Sequence, residues 1–132
     1  LISADPDYFY ESCLLGWGAA NLENFDPEKL GKYRKSWHNL DTIRAMCDDY
    51  RAAILFDWAV DKEDQNRCLE TPACVMWGKT GAMAQNFDVP ATWSKSFSNI
   101  EKKPMDGGHF FPDQYPQETA DALASFIINN VD

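Results

Sequence analysis

The sequence predicts an α/β fold: an all-helical first half, then a strand, helix, strand, helix second half like the last part of a doubly wound parallel sheet. Three observations carry this. Asp5-Pro6 and Asp26-Pro27 repeat one helix-start signal, and helical spacings of apolar residues follow each. The continuous apolar run Pro72-Ala73-Cys74-Val75-Met76-Trp77, closed by Gly78, reads as a parallel-sheet strand buried on both faces. A second strand and a last helix flank Gly107-Gly108-His109-Phe110, a loop fit to present an imidazole at the end of a sheet.

The elements follow in order. Asp5 supplies an N-cap and Pro6 a first-turn proline, and Tyr8, Phe9, Cys13 and Leu14 recur until Gly16 and Gly18 stop the turn. This predicts a helix over residues 6–15. A second helix runs from Asp26-Pro27 to about Trp37, with Leu30, Tyr33, Arg34 and Trp37 on one face. A third starts at Leu40 or Asp41 and carries Ile43, Met46 and Cys47. A fourth, from Asp49 to about Val60, carries Tyr50, Ala53, Ile54 and Asp57. After the Trp77 strand and a loop from Lys79 to Val89, Pro90 opens a helix through Trp93 and Phe97. Ile100 to Asp106 is a more polar strand interrupted by Pro104, which assigns it to an edge. The last helix runs from Pro116 or Gln117 to about Asn129, with Ala120, Leu123, Ala124, Ile127 and Ile128 as its apolar face. Two parallel strands leave flanks unpaired, so either more strands come from elsewhere or the chain associates, for instance as a homodimer.

Composition narrows the partners. With 21 acidic against 12 basic residues the net charge is −9, spread along the chain, which argues against nucleic acid and anionic membrane surfaces. No apolar run approaches a membrane span, since Ala52 to Phe56 is bounded by Arg51 and Asp57. Asp5 to Asp7 interrupts any signal peptide. Cys13, Cys47, Cys68 and Cys74 have no CxxC spacing and read as free buried thiols of a reducing cytosol, so a cytoplasmic protein is expected. Five Trp, eight Phe and five Tyr imply either a thick core or an aromatic-lined cavity. The start at Leu1, without Met, is compatible with a processed or truncated piece.

His109, on its glycine-flanked turn, is suited to general acid/base work, and a plain structural turn is the alternative. His38, near the end of a predicted helix, reads as a surface or helix-terminal residue, and Asp49 or Asp57 as a surface partner of Arg51. Trp77, Trp93, Phe97 and Phe126 read as packing between sheet and helices.

The residues also resemble a known family. Cys74-Val75-Met76-Trp77-Gly78, Trp93-Ser94-Lys95, Gly107-Gly108-His109-Phe110 and Pro116-Gln117-Glu118-Thr119-Ala120, after an all-helical segment, look like the C-terminal half of an α/β-hydrolase with a helical cap. Phe25-Asp26-Pro27 and Asp48-Asp49-Tyr50-Arg51-Ala52 narrow this to the haloacetate (fluoroacetate) dehalogenases. The resemblance implies that residues 1–63 are a helical cap segment with its return helix and that residues 64–132 are C-terminal strands and helices of the hydrolase core. It implies hydrolysis of a small-molecule haloacid through an aspartyl ester, without metal or organic cofactor. His109 would be the base, Tyr50 a hydrogen-bond donor to the departing halide, and Trp17 part of the cap side of the pocket.

The departures define what is missing. No Gly-x-Ser-x-Gly or Gly-x-Asp-x-Gly elbow occurs, so the nucleophile and the arginines that hold a substrate carboxylate are expected in an N-terminal half of the same fold. Trp37-His38 reverses the His-Trp order of the family's other halide donors. Trp77-Gly78-Lys79-Thr80-Gly81 has glycine where many α/β-hydrolases place the triad acid, and Asp88 is a candidate for a displaced one. The chain alone is expected to be inactive. Another capped hydrolase (epoxide hydrolase, haloalkane dehalogenase or esterase) and a non-catalytic interaction module are the alternatives.

Overall fold

A computed structural model of the chain describes residues 1–17 and 20–130. Its first part contains α1 (Pro6–Gly16), α2 (Pro27–Trp37) and a long run of α3 (Leu40–Ala52), a π-helical turn (Ala53–Asp57) and α4 (Trp58–Asp64). The starts follow the capping side chains. Asp5 accepts from Tyr8 N–H at 3.0 Å, Asp26 from Lys29 N–H at 2.9 Å and Asn39 from Asp41 N–H at 2.8 Å. Each bond satisfies an amide orphaned in a first turn, worth about 1 kcal/mol. Gly18, expected to help stop α1, lies outside the described residues.

The third and fourth predicted helices are one continuous run. Cys47-Asp48-Asp49 contains neither glycine nor proline, so nothing stops α3 there, and the irregularity falls instead at the π turn. Arg51 pairs with Asp48, one turn back, and with neither Asp49 nor Asp57. Ile54, Leu55, Phe56 and Trp58, around the π turn, are all two-thirds exposed or more.

Tyr10, Leu14, Phe25, Leu30, Trp37 and Ile43 form the buried cluster of the helical part. Tyr10 stacks on Trp37 with ring centres 5.2 Å apart and planes 14° from parallel, a geometry worth about 1 kcal/mol beyond the area buried. Tyr8, which the spacing placed on the inner face, is exposed, and Tyr10 takes that role. Phe110 packs against the same cluster, so the residue after His109 fastens the histidine loop to the helices.

Beside this cluster, Asp7 Oδ1 accepts from the Trp37 indole N–H at 2.6 Å and lies 3.0 Å from His38 Nε2. His38 is the exposed C-cap of α2. The Trp37 bond first, then His38, holds the Asp7 carboxyl below its ordinary value of 3.8. A depressed folded-state value means that the stabilisation is present above the unfolded value and lost as pH falls through the folded one. Asp7→Asn should therefore lower the urea midpoint at neutral pH, and its difference from the parent chain should shrink below about pH 4. A constant difference down to strong acid would exclude the carboxylate as the cause.

In the second part, β1 (Ala73–Gly78) and β2 (Ile100–Met105) pair in parallel, with Ala73 opposite Ile100 and Gly78 opposite Met105. Between them lie α5 (Ala82–Asn86) and α6 (Val89–Trp93). The loop expected from Lys79 to Val89 thus contains a helix, and the Pro90 helix stops at Trp93 short of Phe97. It stops there because Leu69 N–H donates to Ser96 O at 2.8 Å and Ser98 N–H to Leu69 O at 3.0 Å, which draws the chain into a bridge beside the sheet. Asp88 caps α6 through Ala91 N–H at 3.0 Å. The second strand continues through Pro104, which sits opposite Trp77; a strand with one partner tolerates the missing N–H.

β1 is not buried on both faces. Val75 and Gly78 are buried and the rest half-buried, because β2 is its sole partner strand among the described residues. After the short α7 (Phe111–Gln114), α8 (Pro116–Asn130) forms as expected, but Leu123, Ile127 and Ile128 are exposed and Thr119 is its buried residue. Among the described residues no helix is long and apolar enough to cross a membrane, and all four cysteines are free.

Candidate active-site cleft

The ends of β1 and β2 are stitched together where His109 emerges. Lys79 N–H donates to Met105 O at 2.9 Å and Thr80 N–H to Gly107 O at 3.0 Å. Gly107 has φ +99°, a conformation costly for any side chain, and Gly108 N–H donates to Gln114 Oε1 at 2.7 Å. The two turns also touch. A Cβ on Gly78 would collide with the Gly108 carbonyl, and one on Gly81 would lie 2.6 Å from His109 N. Glycine on both sides of this contact lets the β1 turn hold the histidine loop at backbone distance.

The exposed ring of His109 opens onto a largely apolar cleft of about 630 Å³. Trp17 and Tyr50 line the same cleft, so the three residues singled out by the sequence meet there, from the end of α1, from α3 and from the loop after β2. Trp17 meets the imidazole edge-on, ring centres 6.4 Å apart at 78°, and Phe110 does so from the other side at 5.0 Å and 83°. Among the described residues the His109 ring and the Tyr50 hydroxyl enter no hydrogen bond, and both side chains are exposed.

Sequence reasoning missed one polar feature of the wall. Asp113, on α7, accepts from the Tyr33 hydroxyl on α2, with both carboxylate oxygens within reach at 3.0 and 3.3 Å. Burial first, then this bond, pushes the Tyr33 phenol above its ordinary value. The pair ties the helical part to the segment that carries His109. Eighty residues separate the two, and no local pattern signals the contact. Among the described residues no Lys or Arg lines the cleft, so that lining supplies no countercharge for an anionic ligand.

A smaller cavity of about 330 Å³ lies on the other side of His109, between Trp77, Met83, Phe87 and Trp93. His109 thus borders both apolar spaces. Trp93, expected in the packing between sheet and helix, is nearly half exposed along it. Among the described residues no group of three or more His, Cys, Asp or Glu side chains is placed to hold a metal ion. Among the described residues the arrangement offers an imidazole, an uncharged phenol and an apolar surround. Its one carboxylate, Asp113, is engaged by Tyr33.

Comparisons with known proteins give the chain its relatives. No protein-family model matches the chain. It is 42% identical over 127 residues to fluoroacetate dehalogenase from Burkholderia sp, covering 96% of the chain and 42% of that protein. Among solved structures it resembles a candidate alpha/beta hydrolase from Nostoc sp PCC 7120, with a TM-score of 0.88, 33% identity, and 96% and 43% of the two chains covered. It also resembles a candidate epoxide hydrolase from Pseudomonas aeruginosa, with a TM-score of 0.83, 26% identity, and coverage of 98% and 43%. The chain spans less than half the length of each of these relatives.

Proposed function

We propose that this chain, which has the fold of the C-terminal part of an α/β-hydrolase, supplies the base and one wall of the active site of an enzyme that removes halide hydrolytically from a small 2-haloacid such as haloacetate. The observation that carries the reading is the convergence of His109, Tyr50 and Trp17 on one apolar cleft, together with the similarity to fluoroacetate dehalogenase. In this reaction an aspartate from outside the 132 residues attacks the halogen-bearing carbon, and the halide leaves as an ester forms. His109 then takes a proton from the water that attacks the ester carbonyl, and a second outside carboxylate orients its ring. The Tyr50 hydroxyl donates to the departing halide without bringing charge into a dry cleft, and the Trp17 indole closes the wall beside it.

Joining the chain to the preceding part of the Burkholderia sp dehalogenase tests the reading. Halide release from fluoroacetate is expected from the joined protein and not from the 132 residues alone. Release by the isolated chain would contradict the division of labour, and none from a folded joined protein would contradict the reaction. In the joined protein, Tyr50→Phe should slow halide release on the order of 10²-fold, and more for fluoroacetate than for chloroacetate because fluoride gains most from a hydrogen bond. Equal slowing for the two acids would remove Tyr50 from the leaving-group site. The likeness to a candidate epoxide hydrolase makes an epoxide the second substrate class, since a phenol O–H also stabilises an opening epoxide oxygen. Diol formation without halide release would favour it.

A further inference from the structure

The cleft contains two nucleophiles that the proposed reaction does not use. Cys13 on α1 and Cys47 on α3 are both half-buried, both free and both part of its lining. Cys47 packs against the buried cluster that contains Tyr10, and Tyr10 lines the cleft with both thiols. The Tyr10 hydroxyl is occupied in another direction, donating to Met46 Sδ at 3.3 Å. Two helices therefore bring two thiols and a thioether to one side of an apolar space that also holds His109.

We propose that Cys13 and Cys47 form a covalent modification site for small soft carbon electrophiles admitted to this cleft, the heavier 2-haloacids among them. The haloacid part rests on the reaction proposed above, whereas the site itself rests on where the two thiols stand. The thiolate sulfur forms a bond to the halogen-bearing carbon as the carbon–halogen bond breaks, halide leaves with the bonding pair, and the thiol proton goes to solvent. Bromide and iodide leave readily in such a displacement, and fluoride does not. A cleft built to turn over a fluoroacid would then be alkylated by its heavier analogues, and each S-carboxymethyl group would put a bulky anion into an apolar wall.

The other two cysteines serve as internal references. Cys68 is exposed and lines neither cavity, and Cys74 is half-buried on β1. Burial first, then the neighbouring Glu101, pushes the Cys74 thiol up, which lowers its thiolate fraction. The chain would be treated with limiting bromoacetate, iodoacetamide or fluoroacetate, and the four cysteines followed by peptide mass mapping. Cys13 and Cys47 should be alkylated several-fold faster than Cys74 by the first two reagents and not at all by fluoroacetate. Rates no faster than that of Cys74 would overturn the site. Labelling of the pair by neutral iodoacetamide but not by bromoacetate would overturn haloacids as its ligands. In the joined protein, the Cys13→Ser, Cys47→Ser double variant, checked for folding by circular dichroism, should resist inactivation by bromoacetate. Inactivation at the parent rate would overturn the site, whereas failure of the parent to release any halide bears only on the proposed reaction.

Discussion

Asparagine at position 109 should leave the joined enzyme able to release one halide per active site and then stop. In the proposed reaction the first step, displacement by the outside carboxylate, does not need the imidazole. The second does, because water attacks the ester only when a base takes its proton, and an amide cannot do so. Steady-state turnover should fall by about 10⁴-fold or more, the scale seen when a member of a catalytic triad is lost. The trapped ester should appear as a mass increase on the peptide carrying the nucleophile. Turnover that continues at the parent rate would exclude His109 as the base. Loss of the burst in a folded variant would place its role before ester formation. The neighbours of His109 make the exchange a clean one, since Trp17 and Phe110 meet the ring edge-on and Phe110 anchors the loop independently in the helical core.

Gly78→Ala should be strongly destabilising. Its Cβ would fall on the Gly108 carbonyl, 2.6 Å from that carbon and 2.7 Å from Gly107 O. The three nearest atoms are all backbone, so no rotamer relieves the clash, and either the β1 end or the histidine loop must move. Overpacking of this kind costs about 3 kcal/mol or more, a fall in melting temperature on the order of 10 °C. Because the clash falls on the loop that carries His109, a displaced His109 should reduce turnover in the joined protein even below the melting transition. Gly16→Ala is the control: a Cβ there meets nothing within 4 Å, and melting should change by less than about 1 kcal/mol. Equal melting temperatures for the two variants would mean that the turns do not bear on each other as described.

Those glycines also show how much of the fold and the cleft could be read in advance. Gly107-Gly108 beside a histidine is a local signal with a local cause, a left-handed backbone at Gly107, and it marked the loop correctly. The Asp-Pro starts of α1 and α2 were legible for the same reason, since cap and first turn lie within four residues. Contacts across long separations were not. Nothing near Tyr33 announces Asp113, and the bridge of Leu69 to Phe97, which shortens α6, joins segments that look unrelated in sequence. Periodicity placed Leu123, Ile127 and Ile128 on one face of α8 but could not say whether anything covers them, because spacing reports amphipathicity and not the presence of a partner surface. The merger of two predicted helices into one has a similar origin: a charged stretch such as Asp48-Asp49 looks like a boundary, yet only glycine, proline or a competing cap would have made one.

The π turn at Ala53–Asp57 has a consequence for how such chains diverge. One residue more than a regular helix holds rotates everything after it by about 100° while leaving everything before it in place. Tyr50 lies just before the extra residue and Trp58 just after. A single codon gained or lost within 53–57 would therefore redirect Trp58 and the rest of α4 without moving the tyrosine on the cleft. An insertion or deletion before Tyr50 would instead turn the tyrosine itself away from the cleft.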